Sequence, residues 1–134
     1  PLEYAIQEVK GNGERKLVIF SDPNCGYCKR LEKELVHINH VTIYTFLYPI
    51  LKGSKRISEA IWCSDDKIKS WNSFMLNGTT PTGKECDAPI DALLRTGKQH
   101  GFNSTPTIVF ANGKTVPGMI SAEIIEKKLN EPTN

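Results

Sequence analysis

The chain has 134 residues, 39% of them hydrophobic and 24% charged, with a formal net charge of +2, the size and balance of one well-cored domain. Disorder is excluded by that composition, and the apolar runs are strand-sized, well short of the roughly 20 residues a spanning helix needs. The small net charge, with lysines spread among glutamates, excludes a dedicated nucleic-acid surface.

Residues 16–20, KLVIF, form an apolar run bounded by Gly13 and by Ser21-Asp22-Pro23, which reads as a buried strand. From about Cys25 to Ile38 the apolar positions Cys28, Leu31, Leu35 and Ile38 recur at three and four. Lys29, Arg30, Glu32, Lys33 and Glu34 fill the opposite face of this amphipathic helix. Residues 41–48, VTIYTFLY, give a second buried strand that Pro49 ends. Strand, helix and strand make a βαβ unit with parallel strands.

A long helical stretch follows from about Ser54 to Asn77, carrying Ile57, Ile61, Ile68, Trp71 and Met75, then a Gly/Thr/Pro loop at 78–83 and a second helix from about Pro89 to Gln99. PTIVFA at 106–111 reads as a strand, Asn112-Gly113 as a two-residue hairpin turn, and KTVPG as a short antiparallel strand. Ser121 is placed to cap a last helix through about Leu129, with Glu123 in its first turn and Lys127 and Lys128 in its last. The expected fold is α/β: βαβ, a helical insert at about 54–100, then ββα, in a single domain.

Cys25 and Cys28 form a C-x-x-C at the junction of the first strand and the first helix. Three chemistries compete for such a pair. As a staple it closes too short a loop to remove much chain entropy. As a zinc half-site it needs a second closely spaced pair, which Cys63 and Cys86 are not. A strand-to-helix junction is the expected setting of a redox pair. There the unpaired N–H groups and the dipole of the helix stabilise a thiolate over a thiol, making Cys25 the expected nucleophile. Cys28, one turn further in, is the expected resolving thiol. Lys29 and Arg30 add positive charge nearby on side chains directed to solvent.

With C-x-x-C at the start of a helix and Ser104-Thr105-Pro106 just before TIVFANG, the chain resembles the thioredoxin superfamily. It is most similar there to the catalytic domain of bacterial periplasmic protein disulfide isomerases of the DsbC/DsbG type. The resemblance runs from about residue 14 to 129 through FSDPNCGYCKRLEKEL, AIWCSDD, CDAPID, GFNSTPTIVFANG and VPG. It implies a thioredoxin-like fold, and a cis bond before Pro106 that, with Thr105, Gly26 and Tyr27, presents a client backbone to Cys25. It also implies a structural disulfide between Cys63 and Cys86, the alternative being two buried free thiols, and with the bridge an oxidising compartment, the periplasm. Implied partners are mis-bridged secreted proteins and a membrane thiol-disulfide reductase of the DsbD type; no cofactor, metal or nucleic acid is implied.

Two departures stand out. The buried aspartate that thioredoxins carry six residues before the first cysteine is here Ile19, so the proton of Cys28 is expected to go to solvent or another group. The family's full-length isomerases also begin with a dimerisation domain. Residues 1–14, opening at Pro1 without an initiator methionine or leader, read as the remnant of its linker, and a homodimer is expected only when that domain is present. Isomerisation in that family depends on the dimer's cleft, leaving simple oxidation or reduction, or a chaperone-like binding role, as alternatives. His37, His40 and His100 read as solvated surface, and Trp62, Trp71 and Met75 as core of the insert. Tyr27 reads equally as a client contact or as a residue tuning access.

Overall fold

The computed structural model describes residues 1–132. Five strands, β1 (Ile6–Lys10), β2 (Arg15–Ser21), β3 (Val41–Leu47), β4 (Thr107–Phe110) and β5 (Thr115–Pro117), form one mixed sheet in the order β1-β3-β2-β4-β5. The two central strands, β2 and β3, run parallel because α1 (Gly26–Leu35) crosses over between them; the other pairings are antiparallel.

Alternation along β2 feeds two cores. Leu17 and Ile19 join Leu31 and Leu35 of α1 and Ile125 of α5 (Ala122–Leu129). Phe20 joins Phe46, Tyr48 and the helices between β3 and β4: α2 (Ser54–Trp62), α3 (Lys67–Asn77) and α4 (Ile90–Gln99) contribute Ile61, Trp71, Met75, Ile90 and Leu93. Tyr48 lies so close against α4 that a Cβ on Gly97 would overlap its ring, and its hydroxyl donates to the Phe102 carbonyl at 2.7 Å.

Three elements differ from the sequence expectation. Ile6–Lys10, within the stretch read as a linker remnant, is an edge strand antiparallel to β3. Only Ile6 of its five residues is buried, so it carries almost no periodic signal. The continuous helix expected over 54–77 is two helices. Asp66 caps the second by accepting the Lys69 N–H at 3.1 Å, and Ser64 turns its hydroxyl to the Ala60 carbonyl at 2.8 Å, local bonds that compete with helix continuation. The hairpin loop has three residues, not two: Phe110 N–H pairs with the Lys114 carbonyl at 2.9 Å, and only Gly113 takes a positive φ, of 85°. Asn112 instead accepts the Lys114 N–H at 3.0 Å, and the glycine forms the bulge of a type I loop.

The register of β2 against β4 fixes the functional end of the sheet. Phe20 faces Thr107, so the segment before β4 arrives beside the turn that follows β2.

Candidate active site

The turn Asp22-Pro23-Asn24 redirects the chain from β2 into α1. Cys25 N–H closes it by donating to the Asp22 carbonyl at 3.1 Å, which sets Cys25 at the N-cap in extended conformation, φ −80° and ψ 122°. No neighbour comes within 4 Å of a Cβ placed on Gly26, and Tyr27 is 60% exposed, so the first turn of α1 after Cys25 is open to solvent. Its thiol donates to the Thr105 carbonyl at 3.4 Å, and the Thr105–Pro106 peptide is cis. Cys28 lies one turn in. Its sulfur accepts the Asp22 N–H at 3.4 Å and has 0% exposure against 8% for Cys25; both are free thiols.

Burial pushes the Cys28 thiol up to about 12, with Cys25 adding to the rise and the Ser21 hydroxyl and Asp22 N–H opposing it. Cys28 is thus a protonated thiol at neutral pH. Lys29 and Arg30 place their charges over aromatic rings, Lys29 Nζ 5.2 Å from the Phe74 centroid and Arg30 5.4 Å from that of Tyr27.

In the sequence Asp22 reads as a turn residue only. Its side chain, with 0% exposure, accepts N–H bonds from Asn24 at 2.9 Å and Leu51 at 2.8 Å and the hydroxyl of Ser54. This ties the loop after β3 and the start of α2 to the cysteine turn, while Ile50 and Leu51 of that loop stay exposed. The only signal in the sequence was an acidic residue directly before Pro23; nothing there announced Ser54.

Ile19, at the position of the missing aspartate, is fully buried among apolar neighbours. A carboxyl stands elsewhere: Glu32, on α1, is buried, and desolvation pushes it up to about 7, with the Trp71 indole and Lys10 opposing and Glu8 reinforcing the rise.

Cys63, at the end of α2, is joined to Cys86 by a disulfide with a Cα–Cα distance of 5.7 Å. His37, His40 and His100 are exposed, His40 accepting the Asn12 N–H and His100 stacked on Phe102. Trp71 and Met75 are core, whereas Trp62 is half-buried under Lys67. Among the described residues no group of three or more His, Cys, Asp or Glu is placed to hold a metal ion, and no helix is long and apolar enough to cross a membrane.

A thioredoxin-like domain model matches residues 2–132. The chain is 42% identical over 96% of its length to a Bordetella pertussis protein named "Probable thiol:disulfide interchange protein DsbC", covering 47% of that protein. It is 29% identical over 97% of its length to the thiol:disulfide interchange protein DsbC of Escherichia coli, covering 57% of it. The chain therefore spans about half the length of the curated relatives it matches. Among solved structures, a disulfide interchange protein from Neisseria gonorrhoeae superimposes with a TM-score of 0.91 at 42% identity, covering 98% of this chain and 99% of that one. The catalytic domain of Proteus mirabilis ScsC, at 21% identity and a TM-score of 0.76, shares the fold.

Proposed function

The chain belongs to the thioredoxin-like family, in its DsbC-type branch, and on that premise we propose that it is the catalytic domain of a protein that reduces or isomerises wrong disulfides in secreted proteins. The observation that carries this reading is the asymmetry of the two thiols: Cys25, with a narrow edge of 8% exposure, at a helix N-terminus beside the Thr105 carbonyl, and Cys28, with none, one turn behind it.

Cys25, as thiolate, attacks one sulfur of a client disulfide. The client S–S bond breaks, its other sulfur leaves with the electron pair and takes up a proton, and a Cys25–client disulfide forms. Two exits follow. A second client thiolate attacks the bonded client sulfur, which returns Cys25 unchanged and moves the bridge: isomerisation. Alternatively Cys28 loses its proton and attacks Cys25, forming the Cys25–Cys28 disulfide and releasing a client reduced by two electrons. The high pKa of Cys28 slows the second exit and so favours the first.

Gly26, Tyr27, Thr105 and Pro106 frame the client strand, its backbone running past Thr105 in extended conformation. The Cys63–Cys86 bridge suits an oxidising compartment, the periplasm. A membrane reductase of the DsbD type resets the pair by supplying two electrons. A dimerisation domain preceding residues 1–14 supplies the cleft in which clients are held.

The test is recovery of activity from ribonuclease with scrambled disulfides, run beside reduction of insulin. Recovery by the parent chain, and its loss in Cys25→Ser, supports the isomerase reading. Insulin reduction without recovery assigns reduction to this domain by itself and leaves isomerisation to the dimer's cleft, and neither activity in the parent refutes the reading.

A further inference from the structure

Ser21, the last residue of β2, holds a hydroxyl that is fully buried and has no hydrogen-bond partner among the described residues. A buried donor left unpaired is costly, and nothing in the strand requires one, since the Ser21 carbonyl already accepts the Tyr48 N–H at 2.8 Å. What lies beside it is the other sealed group of the site. Asp22, the next residue, donates its N–H to the Cys28 sulfur at 3.4 Å, which seats that sulfur against the end of β2, and the Ser21 hydroxyl acts on the Cys28 thiol by lowering its pKa.

The other polar groups near Cys28 are turned elsewhere. The Asp22 carboxylate is turned into Asn24, Leu51 and Ser54. Glu32, one turn along α1, interacts with Trp71, Glu8 and Lys10 rather than with Cys28, and its Oε2 is itself buried without a hydrogen-bond partner among the described residues. Cys25 donates to Thr105. A thiol offers little to a hydroxyl donor, whereas a thiolate is a strong acceptor.

We propose that Ser21 donates a hydrogen bond to Cys28 when that sulfur ionises, and so stabilises the attacking thiolate of the release step. This deepens, and rests on, the exchange reading above. In the step, Cys28 gives its proton to solvent, attacks Cys25, and forms the Cys25–Cys28 bond. The Cys25–client bond breaks, and the client sulfur leaves with the electron pair and is protonated. Ser21 keeps its proton throughout. Its bond exists only once charge has developed, so it lowers the barrier to release without strengthening the resting state.

The experiment uses reduced parent chain, Ser21→Ala and Ser21→Thr, each mixed with excess oxidised glutathione, quenched in acid and mapped by mass. Attack by Cys25 is read separately in Cys28→Ala chains with and without Ser21→Ala. The expected result is that Ser21→Ala leaves attack at its parent rate while release slows by about tenfold or more, so the Cys25–glutathione adduct accumulates, and that Ser21→Thr restores release. Release at the parent rate in Ser21→Ala overturns the proposal, as does equal slowing in the alanine and threonine chains, which would mark a packing effect. A parent chain that forms neither adduct nor Cys25–Cys28 bond overturns the exchange reading itself, and this proposal with it.

Discussion

The molecule carries two cysteine pairs in opposite settings. Cys25 and Cys28 sit at the start of one helix, unbonded, the first 8% exposed and the second fully sealed. Cys63 and Cys86 join the end of α2 to the loop before α4, 23 residues apart in sequence, and are bonded. A bridge closing the short C-x-x-C loop constrains the unfolded chain little, whereas one across the insert constrains it strongly. On the proposed function the same side chain is a reagent in one place and a fastening in the other, and what separates the roles is loop length and a helix N-terminus, Cys63 standing at the C-terminal end of α2.

The largest effect that separates the pairs is on exchange. Cys25→Ser abolishes it, and Cys28→Ser leaves attack intact but holds clients as mixed disulfides, visible on non-reducing gels. Replacing Cys63 and Cys86 together by alanine leaves the exchange steps in place and lowers unfolding free energy by about 3 kcal/mol, measured by denaturant titration. Exchange lost along with the bridge, in a chain still folded, would break the contrast.

A third prediction concerns the place where the two regions touch, Glu32 of α1 against Trp71 of α3. The folded carboxyl titrates near 7 and the unfolded one near 4.5, so between those values the folded chain holds the extra proton and stability falls as pH rises. The contribution is fully present below about pH 4.5 and gone above about pH 7; its size is on the order of 3 kcal/mol. Glu32→Gln flattens that window and raises stability at pH 8, read as denaturation midpoints across pH. The smallest effect is local to the insert: Asp66→Ala removes the cap of α3 at a cost of about 1 kcal/mol and leaves the cysteine chemistry untouched.

The parts of this account that were legible in the sequence are those with local signatures. KLVIF, the helix at Cys25, VTIYTFLY and the C-x-x-C announce themselves by periodicity and spacing, and the motif around Thr105-Pro106 by resemblance. What was not legible depends on distant partners or on weak pattern. The edge strand at Ile6 buries a single side chain and so shows no alternation. The break at Ser64 and Asp66 was hidden because apolar spacing continues on both sides of it. Asp22, Ser21 and Glu32 were unreadable as site residues, since each takes its meaning from a group brought near by the fold: Ser54 and Leu51, Cys28, and Trp71.

The central claim is that one pair reacts while the other fastens, and equilibration of the chain with a graded glutathione buffer, followed by acid quench, thiol alkylation and mapping, tests it most directly. The account predicts that Cys25 and Cys28 convert together between dithiol and disulfide while Cys63 and Cys86 stay bridged across the whole series. Opening of the Cys63–Cys86 bridge in the same range, or a Cys25 that never pairs with Cys28, would contradict it.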